Sequence, residues 1–147
     1  DKAPTLVSFV LSELCSLVCR IAKLGWHEDD RFRSILDDIR PFFESSEDYY
    51  LVGLQLLSRL VAEMNQSSTA IRKTFTQAQH RKVATSFRDN VLQNIYTMAL
   101  NTLSKLASTQ THSRLRQNAL DLASICLNFD FIGTSFDEST EDLGTIQ

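Results

Sequence analysis

At 147 residues the chain is about one domain long, enough to bury a continuous core. Its 43% hydrophobic and 22% charged residues exclude a disordered chain, and no apolar run approaches the roughly 20 residues that a helix needs to cross a bilayer. Four glycines and two prolines supply too few turns for a sandwich or barrel, and a net charge of −3 argues against binding nucleic acid through its phosphates. That small total conceals a pattern, because residues 27–48 sum to −5, 65–128 to +6 and 129–147 to −5. Three cysteines, an odd number, read as reduced thiols inside a cell and not as a disulfide framework. The helical pattern begins almost at the first residue, an aspartate, so the chain reads as a piece of a longer protein.

The first element is a helix over 5–24. Its apolar stripe is Leu6, Phe9, Val10, Leu14, Leu17, Val18, Ile21 and Leu24, and Phe9, like Phe87 and Tyr96, reads as core. Gly25 offers a left-handed cap, and Trp26 is placed to fold back on the last turn. Asp29 or Asp30 caps a second helix over 30–44 with an apolar face of Phe32, Ile35, Leu36, Ile39 and Phe43, and Pro41 limits or kinks its end. Ser45 and Ser46 before Glu47 and Asp48 form a helix start, and the stripe Tyr49, Val52, Leu56, Leu57, Leu60, Val61 and Met64 carries a third helix to about Asn65. Polar residues 65–79 break the period and read as an insertion loop. A long fourth helix follows over 80–107, with a bend expected near Arg88 to Asn90, and a fifth over 113–128 presents Leu115, Ala119, Leu122, Ile125 and Cys126. Residues 129–147 hold five acids, no basic residue and no period, and read as an acidic loop or tail.

The fold class is therefore all-α. Helices alternate long and partner, and Leu14 and Leu57 occupy equivalent places about 43 residues apart. Antiparallel helix pairs repeating every 40–47 residues mark HEAT and armadillo solenoids, with a compact bundle as the competing arrangement. Residues 1–128 are read as about two and a half such repeats.

Few residues suggest chemistry. Cys15 and Cys19 lie four apart on a helix, yet no third ligand accompanies them, so no metal is expected and they read as buried thiols. His27, His80 and His112 are scattered, and no phosphate loop, nucleophile elbow or paired-histidine motif is present, so neither a catalytic site nor a cofactor is expected. Asp37 and Asp38 are adjacent on a helix, point about 100° apart and cannot form an acid–base dyad. Arg72, Lys73, His80, Arg81, Lys82 and Arg88 make a basic cluster, read either as a solvated helix start or as a patch for an acidic partner; no aromatic residues interleave it as a nucleic-acid surface requires. Ser135 and Ser139 each precede an acid by three positions, a pattern that acidophilic kinases favour.

The stretches SELCSLVCRIAKLGW, HRKVATSFRD and CLNFDFIGTSFDESTEDL, in this order and spacing, resemble the exportin-7-like nuclear transport receptors of the importin-beta (karyopherin-beta) superfamily, near their N-terminal end. The likeness extends over nearly the whole chain. It implies a HEAT solenoid in which 5–24, 49–64 and 113–128 are outer helices and 30–44 and 80–107 inner ones. It further implies a receptor that shuttles between nucleus and cytoplasm and binds the small GTPase Ran in its GTP form together with protein cargo. Nucleoporins would be met through the full-length receptor, with no nucleic acid or membrane partner. Asp37 and Asp38, on an inner helix, and Lys82 and Arg88 become the candidate partner-binding residues. The alternative is a helical scaffold or adaptor that ignores Ran, which the same fold serves equally well.

Overall fold

The computed structural model describes residues 3–66 and 76–129. Its first helix, α1 (Ala3–Leu24), carries the expected apolar stripe, but that stripe faces outward: Phe9 is 63% exposed and Leu17 53%. Phe9 is thus not core. The side packed on the next long helix is instead Cys15, Cys19 and Ala22 with Leu11 beside them, small residues that let the two helices approach closely. The Cys19 thiol donates to the Leu56 carbonyl across this contact at 3.7 Å. Burial pushes the Cys19 thiol up to about 12, which keeps it protonated and inert. A helix apolar on two sides is suited to lie between two neighbours, and among the described residues α4 is the long helix packed on it. Beside the outward stripe, an apolar groove of about 420 Å³ runs between α1 and the second-layer residues Phe32, Ile35 and Ile39. The 147-residue chain is expected to bind hydrophobic dyes and to self-associate with rising concentration. Lysine at Phe9 and Leu17 should suppress both, whereas a monodisperse, dye-silent wild-type chain would contradict this exposure.

The corner after α1 differs from the glycine-cap expectation. Gly25 does not have a positive φ, and its amide continues the helical pattern by donating to Ile21 at 3.0 Å. Glycine is needed there because a Cβ would run into the ring of Phe32. The Trp26 amide turns back to donate to the Lys23 carbonyl at 3.3 Å, and its side chain is fully buried, with the indole Nε1 donating to Ser86 Oγ at 3.0 Å. Asp29 then caps α2 (Asp30–Arg33), its carboxylate accepting from the Arg31 amide at 3.0 Å. The expected single helix over 30–44 is in fact three pieces: α2, α3 (Ile35–Ile39) and a 3-10 helix (Arg40–Glu44) with Pro41 in its first turn. Proline cannot donate to the turn before it, and the tighter 3-10 geometry tolerates that.

Ser46 caps α4 (Glu47–Asn65) as expected, its hydroxyl accepting from the Tyr49 amide. Tyr49, placed in the apolar stripe, is 56% exposed, and Leu51 and Leu54 are buried instead. The reason is position: α4 packs against α1 on one side, α7 on another and the 3-10 helix on a third, so apolar residues are needed almost all round it. Leu57, fully buried, and Leu14, largely exposed, are therefore equivalent in pattern but not in surroundings. At Gly53 a Cβ would press on the Phe43 ring, which packs edge-on to Tyr50 with centroids 4.7 Å apart.

The expected helix over 80–107 starts earlier, at a capping box in which Thr76 and Gln79 satisfy each other's main-chain amides. It comprises α5 (Gln77–Phe87), a π-helical turn (Arg88–Leu92) where the bend was expected, and α6 (Gln93–Leu106). Arg116 fixes the turn into α7 (Ser113–Leu127) by donating to the Leu106 carbonyl at 3.2 Å and to that of Thr109. Phe129, assigned to the tail, is instead buried, with its ring 6.0 Å from that of Phe87. The insertion-loop expectation falls mostly on 67–75 and the rest of the acidic tail on 130–147, outside the described residues; Arg72, Lys73, Ser135 and Ser139 lie there too. The architecture is all-α and HEAT-like, with α1, α4 and α7 side by side in one layer and α2, α3, the 3-10 helix, α5 and α6 completing each pair in the other.

Candidate partner-binding face

The neighbouring helices α1 and α4 are joined by polar contacts as well as apolar ones. Lys23 is only 1% exposed, and its ammonium donates to the Glu63 carbonyl at 2.9 Å and the Gln66 carbonyl at 2.5 Å. These carbonyls belong to the end of α4, where the helix leaves acceptors unpaired and partly negative, so a cation there satisfies both needs. Burial lowers the Lys23 pKa, and the nearby Glu63 carboxylate partly offsets that. His80 lies close by on α5, and its Nδ1 is buried with no hydrogen-bond partner among the described residues. Burial, then Lys23 and Arg81, lower His80 to about 4. It is a neutral packed group and not part of a basic patch.

The folded value of about 4 lies below the ordinary 6.5, so the unfolded chain binds the extra proton over that window and the native state does not. The stability concerned is fully present above pH 6.5 and is lost as pH falls toward 4, by about 2–3 kcal/mol. Urea titrations across this range should show the loss in the wild-type chain and flatten it in His80→Asn. An equal slope in both would reject the assignment.

On the second layer a groove of about 520 Å³ separates the first pair's helices from the second pair's. One wall carries Arg33, Leu36, Asp37 and Arg40; the other carries Asn90, Val91, Asn94, Thr97 and Met98. Arg33 pairs with Asp30, and Arg40 with Asp37 at 3.0 Å. Asn90 stands in the π-helical turn and donates its amide to the Ser86 carbonyl at 2.9 Å. Turns of this kind cluster at functional positions because they offset the side chains that follow.

The four candidate residues do not form one site. Asp37 lines this groove, whereas Asp38, one residue on, lines the apolar groove beside α1. Lys82 is exposed on α5. Arg88 pairs with Asp89 at 2.9 Å and borders a smaller groove of about 160 Å³ with Leu92, Tyr96, Cys126 and Leu127. His112 takes a left-handed conformation (φ 63°) just before α7 and places Nδ1 3.1 Å from the Glu47 carboxylate, while His27 is exposed. Among the described residues no group of three His, Cys, Asp or Glu side chains is placed to hold a metal, and no helix is long and apolar enough to cross a membrane. Sequence reasoning missed Arg33, Arg40, Asn90 and Asn94. Their available signal was polar residues recurring at helical spacing within otherwise apolar segments.

Comparison with known proteins places these observations. The family described as exportin 1-like protein matches residues 7–136. Exportin-7-B of Xenopus laevis is 41% identical over 98% of the chain, human Ran-binding protein 17 is 36% identical over the same share, and Ran-binding protein 16 of Drosophila melanogaster is 35% identical. The chain spans 14% of the length of each of these relatives. No solved structure matches it.

Proposed function

Because the chain belongs to the exportin 1-like protein family, we propose that it is a segment of a Ran-dependent nuclear export receptor, contributing part of the surface that holds Ran in its GTP form and protein cargo. The observation that supports this best is the likeness, over 98% of the chain, to proteins named exportin-7 and Ran-binding protein. Those names give the reading its partner, and the second-layer grooves give it surfaces on which partners can lie.

The segment works without chemistry of its own. Each helix pair contacts only its neighbours, so small rotations between pairs add along the stack and couple distant sites. Ran-GTP and cargo favour the same curvature and thereby strengthen each other's binding, as linkage requires. Hydrolysis of the GTP in the cytoplasm withdraws that support, and the complex comes apart. The receptor shuttles between nucleus and cytoplasm, and nucleoporin contacts belong to the full-length receptor.

The acidic charge of residues 27–48 suits a basic region of Ran or cargo, and the positive charge of 65–128 an acidic one. The test is binding of Ran-GTP by the longer receptor after Asp37→Lys with Asp38→Lys, and separately after Lys82→Glu with Arg88→Glu. Either pair should weaken binding about tenfold, mainly through slower association and with an altered salt dependence. Unchanged affinity in both would remove these residues from the Ran surface.

A further inference from the structure

We propose that Ser34 is a phosphorylation site for a protein kinase that reads arginines ahead of its target, and that the phosphate turns one wall of the second-layer groove from basic to acidic. This goes beyond the Ran reading and does not rest on it. The run is Arg31-Phe32-Arg33-Ser34-Ile35, with guanidiniums three and one positions before the hydroxyl and an apolar residue after it. Of all the serines and threonines in the chain, Ser34 alone has an arginine three positions before it. Kinases that select such targets do so through carboxylates in the cleft, which take arginine side chains in charge-assisted, two-pronged hydrogen bonds. The side chains of Arg31 and Arg33 are exposed and pair with Asp29 and Asp30. Exposed pairs of this kind are weak, so a cleft lined by carboxylates can displace them.

Ser34 is exposed at the break between α2 and α3, where its φ of −96° and ψ of 19° leave the helical pattern. Its hydroxyl donates to the Arg31 carbonyl at 2.9 Å, which leaves lone pairs on the oxygen. A kinase holds its target extended, so residues 31–35 must open, and α2 favours this: it is a single turn of four residues, none of them buried. Opening also draws Phe32 off Gly25 and Ile35 out of the core, so the folded chain reacts more slowly than a free peptide. In the reaction Ser34 Oγ attacks the γ-phosphorus of ATP, the bond to the ADP oxygen breaks, and the hydroxyl proton passes to a carboxylate of the kinase.

Ser34 lines the groove of about 520 Å³ together with Arg33, Asp37 and Arg40, two positive charges against one negative. A phosphate of about −1.5 to −2 makes that wall net negative and offers three strong acceptor oxygens. It competes with Asp30 and Asp37 for the guanidiniums of Arg33 and Arg40. An acidic partner loses its attraction to this wall, and a basic one gains it.

The test treats the folded 147-residue chain with magnesium ATP and the catalytic subunit of cAMP-dependent protein kinase. Fragmentation mass spectrometry should place phosphate on Ser34. Arg31→Ala, at an exposed position, should slow that incorporation about tenfold or more while leaving the thermal midpoint in place. Incorporation at Ser34 that ignores Arg31→Ala would overturn the site. So would a folded chain left unmodified under conditions in which the peptide Asp30–Asp38 is fully phosphorylated. In the nitrogen-labelled phosphorylated chain, the Arg33 and Arg40 Nε resonances should move as pH rises through about 6, where the phosphate takes its second charge. Arginine resonances that stay where they are in the unmodified chain would overturn the change of charge in the groove. Ran is absent from these assays, so their failure leaves nucleotide-selective binding untouched, and the converse also holds.

Discussion

Alanine at Trp26 is expected to lower the stability of the chain by about 3–5 kcal/mol, a large part of what a domain of this size possesses. The indole is fully buried, its edge lies against Phe87 with ring centroids 5.8 Å apart, and Phe87 in turn meets Phe129. Removing it opens a cavity where the end of α1, the π-turn helix and the end of α7 converge, and it strands the Ser86 hydroxyl. Trp26→Phe keeps most of the packing and loses mainly the bond to Ser86, so it should cost about 1 kcal/mol beyond the small change in volume. Calorimetry of both variants separates these contributions. For a chain of this length the alanine variant should melt roughly 10–15 °C lower. A loss under about 1 kcal/mol would mean that the corner does not hold the layers together.

Methionine at Lys23 is the second large effect, expected at about 2–4 kcal/mol. The methionine chain can follow the apolar course of the lysine stem, but the Glu63 and Gln66 carbonyls then lose the ammonium that donates to them. The wild-type advantage also depends on pH. Burial lowers the Lys23 pKa from 10.5, so above the lowered value the unfolded chain holds the proton more firmly than the native one. Wild-type stability relative to Lys23→Met should therefore rise with pH until about 10.5. Paired urea titrations at neutral and alkaline pH measure the difference, and a gap that narrows as pH rises would contradict a desolvated ammonium at this position. The Lys23-Leu24-Gly25-Trp26 run, part of the resemblance on which the family expectation rested, is thus explained by structure. Lys23 closes one helix, Gly25 admits Phe32, and Trp26 joins the layers.

Helix existence was legible because period, caps and breakers agreed. Ser46, Asp29 and the bend at Arg88–Leu92 all lie where local chemistry puts them. What was not legible is which side of a helix faces what. In α1 the larger apolar residues look outward and the small ones inward, because close helix approach is achieved with Cys15, Cys19 and Ala22, and a hydrophobic pattern counts size where packing needs fit. In α4 the stripe missed Leu51 and Leu54, since a helix packed by α1, α5, α7 and the 3-10 helix buries more of its circumference than one stripe, and only a narrow polar strip through Gln55 and Arg59 stays exposed. The helix over 30–44 broke at Ser34 and again at Arg40, tertiary outcomes that local periodicity does not contain.

The candidate site was less legible still. Asp37 was singled out for its charge, and it does line the second-layer groove, but Asn90 and Asn94 on the facing wall lie more than 50 residues from it in sequence. Uncharged amides at helical spacing carry no signal in a charge count. His80 was grouped with basic residues by proximity along the chain, although its ring turns inward toward Lys23 and stays neutral.

The most direct measurement of the central claim is the affinity of the longer receptor for immobilised Ran loaded with GTP or with GDP, at low and at physiological salt, with the 147-residue chain alongside. A Ran-dependent receptor binds the GTP form at least about tenfold more tightly, and the preference persists as salt screens the exposed charges. Equal binding of both forms, or binding of neither, would contradict it and leave a helical scaffold that acts independently of Ran.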